Sequence, residues 1–233
     1  MKKILTVCIC LLFTLTAILP LGMLISALFG YTFELTSILT FSVIIAVISV
    51  LTAILGFISK EKTDKKITVL SYILTPLSLI NAVLYIFEST QLSVAICVFV
   101  SVICCFCLTL KNVVSKAGKI IISVLFAIST AFIVFFAFIM LTFGSIGKTT
   151  VDKTVDSPDN SRVAQVIIID QGALGGNTVV DVCEKKEINA FIFRIKKKPQ
   201  RVHMGEWGEA ENMQIYWEDN NCLVVNSVEY EIE

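Results

Sequence analysis

Apolar residues dominate the first 143 positions in five uninterrupted runs: Ile4–Phe29, Ile38–Ile58, Ile67–Phe87, Leu92–Leu110 and Ile120–Phe143. None contains an internal charge. A helix of about 20 residues crosses a hydrocarbon core of roughly 30 Å, so each run is long enough to span. Backbone groups in lipid have no water to bond, so the spans must be helices. The connections are short and polar: GYTFELTS, SKEKTDKK, ESTQ and KNVVSKAGK. After Phe143 the pattern changes. GSIGKTTVDKTVDSPDNS is polar and rich in turn formers, and predicts a stalk over 144–161. β-branched runs follow. Val163–Asp170, Thr178–Cys183 and Ile188–Ile195 predict strands, with shorter ones at Arg201–Met204, Met213–Trp217, Leu223–Asn226 and Val228–Ile232. The expected fold is therefore a membrane all-α bundle of five transmembrane helices over 1–143, then a small all-β extracytoplasmic domain over 162–233. An antiparallel sandwich or roll fits that domain.

Composition sharpens this picture. Of the 233 residues, 56% are hydrophobic and 16% charged. A soluble domain of that size cannot bury so much apolar surface. The zero net charge hides an asymmetry. Nine Lys face four acids before Gly144, and ten Lys or Arg face fifteen acids from there on. The early lysines alternate by loop. Lys2 and Lys3 precede the first run, Lys60, Lys62, Lys65 and Lys66 follow the second, and Lys111, Lys116 and Lys119 follow the fourth. The other two connections carry only Glu34 and Glu88. The positive-inside rule makes the lysine side cytoplasmic, so five crossings place the C-terminal domain outside. A cleaved signal peptide is the alternative for the first run, since MKK is a suitable n-region and ISALFG offers small residues. The run is longer than a usual signal core, and the sidedness is unchanged either way.

No ionisable residue lies inside a span, so the usual mark of a transport path is missing from the sequence. Pro20, Pro76, Ser78 and Asn81 offer either a small-solute path or interhelical hydrogen bonds, and the second is the commoner use of such groups. Cys8, Cys10, Cys97, Cys104, Cys105 and Cys107 sit within apolar runs and are expected to pack as small hydrophobes. Cys183 and Cys222 lie in the exterior segment, where a disulfide persists. Whether they are bonded depends on a distance that spacing does not carry.

Three motif fragments fail on context. Gly147-Lys148-Thr149 resembles the end of a P-loop, but Thr142 stands where the earlier glycine belongs and a span precedes it. Ser145 and Lys148 have S-x-x-K spacing without the companion motifs. His203, the only histidine, has no partner at ligand or general-base spacing and is expected to be structural or solvent-exposed. The stretch DQGALGGN stands between two strands, so no helix N-terminus is present to meet a phosphate. It is expected to join paired strands, with Gly172, Gly175 and Gly176 supplying positive φ or close approach. Exposed loops carry function, so Asp170, Gly172, Gly175 and Gly176 are candidate rim residues. Trp207 and Trp217 lie in an acidic, aromatic stretch with Glu206, Glu209, Glu211 and Glu218. They are candidate binding residues too, although core anchoring is the ordinary role of such tryptophans. No catalytic residue, metal or cofactor is expected. A nucleic acid or nucleotide partner does not fit an acidic exterior domain.

The texts SPDN, DQGALGGNTVVDV, KKPQRVHMGEWGEAENMQIYW and DNNCLVVNSVEYEI together resemble a bacterial family of membrane-anchored proteins, the domain-of-unknown-function family 5412. Asn160 replaces a glycine of the first family motif, and VVNS departs from the last. The resemblance covers roughly the last 75 residues. It implies a membrane anchor with a small β-domain and a Gram-positive bacterial source, and it brings no activity. The functional expectation is a non-enzymatic, multi-pass protein of the cell membrane with a cytoplasmic N-terminus. Its exterior domain would serve envelope-related binding, sensing or assembly with a membrane or envelope protein. The alternatives are a transporter component or accessory subunit and, behind them, an envelope hydrolase.

Overall fold

The computed structural model describes residues 2–59, 65–88, 91–143, 148–172 and 175–232. The chain divides into two units. One holds Met1–Ile25 and Leu35–Leu141, the other Ser26–Glu34 and Thr142–Glu233.

The first unit contains helices α1 (Lys2–Leu28), α2 (Ile38–Ile58), α3 (Lys65–Glu88), α4 (Leu92–Asn112) and α5 (Lys116–Phe143). All five are long and apolar enough to cross a membrane. Ser37 starts α2 as an N-cap, its hydroxyl accepting from Thr40 N–H. Packing is arranged for a lipid solvent: large apolar side chains point outward and small polar ones inward. Thr16, Ser42, Ser49, Thr52, Ser71, Thr75, Ser78, Asn81, Ser101 and Thr109 are all buried. Most of these hydroxyls donate to a carbonyl one turn back, as Thr16 does to Leu12 and Ser101 to Cys97. Others tie helices together. Thr75 and Thr109 share a 2.8 Å bond, and Asn81 Nδ2 donates to Thr16 O at 2.6 Å. Asn81 thus makes the interhelical hydrogen bond expected of it, whereas Ser78 Oγ donates within α3 to Thr75 O at 2.8 Å. At Gly56 a β-carbon would stand 2.7 Å from Leu108 Cδ2, so the missing side chain lets α2 and α4 close up.

The second unit is built of antiparallel sheets. The larger has β2 (Lys148–Asp156), β3 (Arg162–Asp170), β4 (Gly176–Glu184) and β7 (Gln200–Glu206) in the order β2-β3-β4-β7. Facing it are β8 (Ile215–Trp217), β9 (Cys222–Val225) and β10 (Val228–Glu231) in the order β10-β9-β8. Alternate residues supply the core between them: Ala164 and Val166 from β3, Val180 and Val182 from β4, Leu223 and Val225 from β9. That is the period-2 burial of two stacked sheets, the sandwich expected. The turn at Ser157–Ser161 puts Asn160 at φ 59. Asparagine tolerates that left-handed region better than other side chains, so it can stand where a glycine would.

Three expectations need correction. The stalk over 144–161 is largely a strand: Lys148–Asp156 is β2, at the sheet edge, registered from Lys148↔Asp170 to Asp156↔Val163. Its Thr and Val residues favour the extended chain despite their polar setting. Gly144–Gly147 lie outside the described residues. The single strand over Ile188–Ile195 is instead a hairpin of β5 (Glu187–Ala190) and β6 (Phe193–Lys197). Finally, the connection between α1 and α2 contains a strand, β1 (Tyr31–Leu35). It joins β6 and β5 in a third sheet of order β1-β6-β5.

Candidate functional site

The glycine turn is locally determined. Asp170 Oδ1 accepts from Gly172 N–H at 2.7 Å, Gln171 N–H donates to Gly175 O, and Gly175 N–H donates to Gly172 O. Gly172 and Gly175 have φ of +64° and +93°, where an L side chain is strained. Ala173 and Leu174 lie outside the described residues. Gly176 serves a different purpose. A β-carbon there would meet Ile169 O at 2.5 Å and Trp207 Cδ2 at 3.2 Å. The bare backbone is thus a platform on which the indole of Trp207 lies. Trp207 remains 52% exposed. Asp170, Gly172, Gly175, Gly176 and Trp207 therefore meet at one end of the larger sheet. Trp217 does not join them. Its Nε1–H donates to Val155 O at 3.0 Å, near the other end of β2, and its ring packs against the sandwich core. It is a core anchor.

Beside this rim lies a polar network. His203, on β7, is held on both sides. Its Nε2 is 3.1 Å from Glu209 Oε1 and its Nδ1 is 3.0 Å from Tyr230 Oη. A carboxylate can only accept, so Nε2–H donates to Glu209 and, with a neutral ring, Tyr230 O–H donates to Nδ1. Glu209 also accepts from Asn226 Nδ2–H at 2.7 Å and from Glu206 N–H at 3.0 Å. It opens a short 3₁₀ turn, Glu209–Asn212. Asn226 and Ser227 form the two-residue turn of the β9–β10 hairpin, both at positive φ. The network thus cross-ties β7, the 3₁₀ turn and the smaller sheet behind Trp207. Sequence reasoning missed Glu209 and Tyr230 as partners of His203, and Asn226 as a further partner of Glu209. No motif spacing links them, since Tyr230 is 27 residues away from the histidine.

Cys183 and Cys222 are free thiols, which removes the candidate bridge. Strand alternation is the reason. Val182 and Leu223 point into the core, so their neighbours Cys183 and Cys222 face outward from opposite sheets. Burial raises the Cys183 thiol pKa first, with the Asp181 carboxylate adding to it. Desolvation also raises Cys222, followed by the charges of Glu218, Glu229 and Asp219. Glu218, Cys222 and Glu229 bring three potential ligand atoms within 4.8 Å of one another, the one such group among the described residues. Two carboxylates and a thiol could hold a divalent cation. The same open cleft of about 690 Å³ contains Arg162, whose guanidinium bonds Asn221 and the Ile232 carbonyl and opposes a cation there.

No family model, curated protein or solved structure matches this chain. The functional argument therefore rests on the residues themselves.

Proposed function

We propose that this is a multi-pass protein of a bacterial, Gram-positive cell membrane with its N-terminus in the cytoplasm. It presents the β-sandwich on the extracytoplasmic face, where the Trp207 rim binds a membrane or envelope protein partner. The exposed indole of Trp207, seated on Gly176 and backed by the His203–Glu209 network, carries this reading. A large aromatic held rigidly with half its surface open is the usual form of a binding anchor. The rim sits at the sheet end where β2 begins, because Lys148 pairs with Asp170. Four residues, 144–147, separate Phe143 from Lys148, a reach of at most about 17 Å. That favours a partner at the membrane surface.

Two independent observations support the sidedness. The lysines alternate by loop. In addition, β1 pairs with β6, so the α1–α2 connection and the C-terminal domain share one side of the membrane. Four crossings, α2 to α5, lie between that connection and β2, an even number that satisfies the pairing, whereas three or five would not. The bacterial, Gram-positive source is what the resemblance of roughly the last 75 residues implies. The solute-path reading gains little. The polar cavity around Thr16, Ser42, Ser78 and Asn81 measures about 10 Å³, room for about one water.

The test is photocrosslinking from position 207 in native membranes, with mass spectrometry of the captured species. A membrane or envelope protein captured from position 207, and not from a control at Glu229, supports the reading. Equal capture from both positions overturns it. Thr32→Cys with Lys196→Cys checks the shared side independently by forming a crosslink under oxidation.

A further inference from the structure

We infer that the tip of the β5–β6 hairpin, centred on Phe191, inserts into the lipid interface. The starting point is β1. Two residues separate it from the end of α1 at Leu28, and two separate it from the start of α2 at Ile38. A strand tied this closely to two membrane-crossing helices has both ends at the boundary between hydrocarbon and headgroups. It runs along the membrane surface, and its hydrogen-bonded neighbour must run with it.

That neighbour is β6. Lys198 N–H donates to Gly30 O at 2.9 Å, and Thr32 Oγ1 donates to Lys196 O at 3.3 Å. The Phe33 and Phe193 rings stack with centroids 5.0 Å apart. Glu34 pairs with Lys196 at 2.8 Å and Arg194 at 3.3 Å. These contacts run in opposite order along the two strands. The hairpin tip therefore extends past the Glu34 end of β1, the end that leads into α2.

The tip has the wrong residues for water. Ala190 pairs with Phe193, so Phe191 and Ile192 form a two-residue turn. Such turns favour Asn or Gly where φ is positive. Here Phe191 takes φ 59 and is 94% exposed. Ile188, on the same hairpin, is also largely exposed. Burying the hydrated ring is favourable and offsets the cost of holding a bulky residue at positive φ. Phe is among the side chains that interfacial segments bury at the headgroup–acyl boundary. The charges nearby match the same surface. Lys186 and Lys198 flank the hairpin with no carboxylate partner among the described residues, and ammonium groups there suit the phosphates of anionic phospholipids. The inference does not depend on which leaflet the domain faces.

The test uses the full-length protein in vesicles of phosphatidylcholine and phosphatidylglycerol. With Cys183 and Cys222 changed to Ser, Phe191→Cys is labelled with the fluorophore NBD and compared with the same label at Glu229→Cys. The tip label should be quenched by spin-labelled lipid and protected from aqueous iodide by about threefold or more relative to position 229. Equal iodide quenching at the two positions overturns the inference. So does protection from both quenchers, which would mean that protein, a second copy included, covers the tip. Phe191→Trp keeps an aromatic at the turn and covers a misfolded cysteine variant. Brominated lipid must quench its fluorescence more than that of the parent, and equal quenching overturns the inference. The two readings fail separately. A hydrated tip leaves crosslinking from position 207 untouched, and absent crosslinking leaves lipid quenching at position 191 untouched.

Discussion

The Glu209 carboxylate occupies the space beside Gly205: a β-carbon on Gly205 would stand 1.6 Å from Glu209 Oε2. The carboxylate could swing away, but it is held by His203, Asn226 and the Glu206 N–H. Gly205→Ala should therefore expel it and break those bonds together. The expected loss is about 1–3 kcal/mol, the usual cost of stranding partners of a charged hydrogen-bonding group. Glu209→Gln keeps the shape and should lose less. Denaturant unfolding of the full-length protein in detergent, followed by tryptophan fluorescence, separates the two.

The platform under Trp207 predicts a division between stability and binding. Gly176→Ala would drive a β-carbon to 2.5 Å from the Ile169 carbonyl, a backbone atom held in the β3–β4 ladder. It should destabilise the domain by about 1–3 kcal/mol, as overpacking does. Trp207→Ala removes a half-exposed side chain and should cost about 1 kcal/mol or less. Only the second should abolish partner capture in a pull-down while leaving the unfolding midpoint nearly unchanged.

What could be read from the sequence follows the range of the interactions involved. The spans depend on local apolar length, and α2 begins and ends where its run does, at Ile38 and Ile58. The sandwich was legible because VAQVIIID and TVVDVC declare their strands, and the glycine turn because Asp170 and Gly172 bond within the turn. β1 was hidden for the opposite reason. YTFEL is five residues long, and its partner Lys196 lies 164 residues from Thr32. The Thr-rich edge strand β2 was masked by polar composition. The His203 network was masked by topology, since β7, the 3₁₀ turn and the β9–β10 hairpin meet only after both sheets have formed.

The Ser157–Ser161 turn should give the domain part of its acid sensitivity. Asp159 Oδ1 accepts from Ser157 Oγ, Ser161 N–H and Ser161 Oγ at 2.7–3.0 Å. These bonds hold the Asp159 carboxyl below its ordinary value of 3.8, the Ser157 hydroxyl contributing most. A folded pKa below the unfolded one means that the stabilisation is complete well above pH 3.8 and is lost as pH falls through the folded value. Stability should therefore be flat near neutrality and decline in acid, and Asp159→Asn should make that decline shallower. Asp159 N–H also bonds Asn220 Oδ1, so the turn couples β2 and β3 to the β8–β9 turn. Unfolding midpoints measured in parallel for parent and variant from pH 7 downward provide the check.

The two exterior cysteines should behave as hindered thiols and not as a bridge. Their side chains leave opposite sheets in opposite directions, and each bonds its own neighbour: Cys183 to Gln165 and Cys222 to Glu218. Oxidation without unfolding should leave the mobility of the protein on gels unchanged by reductant. Both thiols have raised pKa values, so the reactive thiolate is scarce at neutral pH. Alkylation should be slower than for an unperturbed cysteine and accelerate about tenfold per pH unit until the thiol pKa is reached. Glu218→Gln removes one of the carboxylates next to Cys222 and should speed labelling there, with no effect at Cys183. Peptide mapping after timed alkylation distinguishes the sites. An intramolecular disulfide between Cys183 and Cys222, found by mass spectrometry of the folded protein, would require one of the two sheets to be turned inside out.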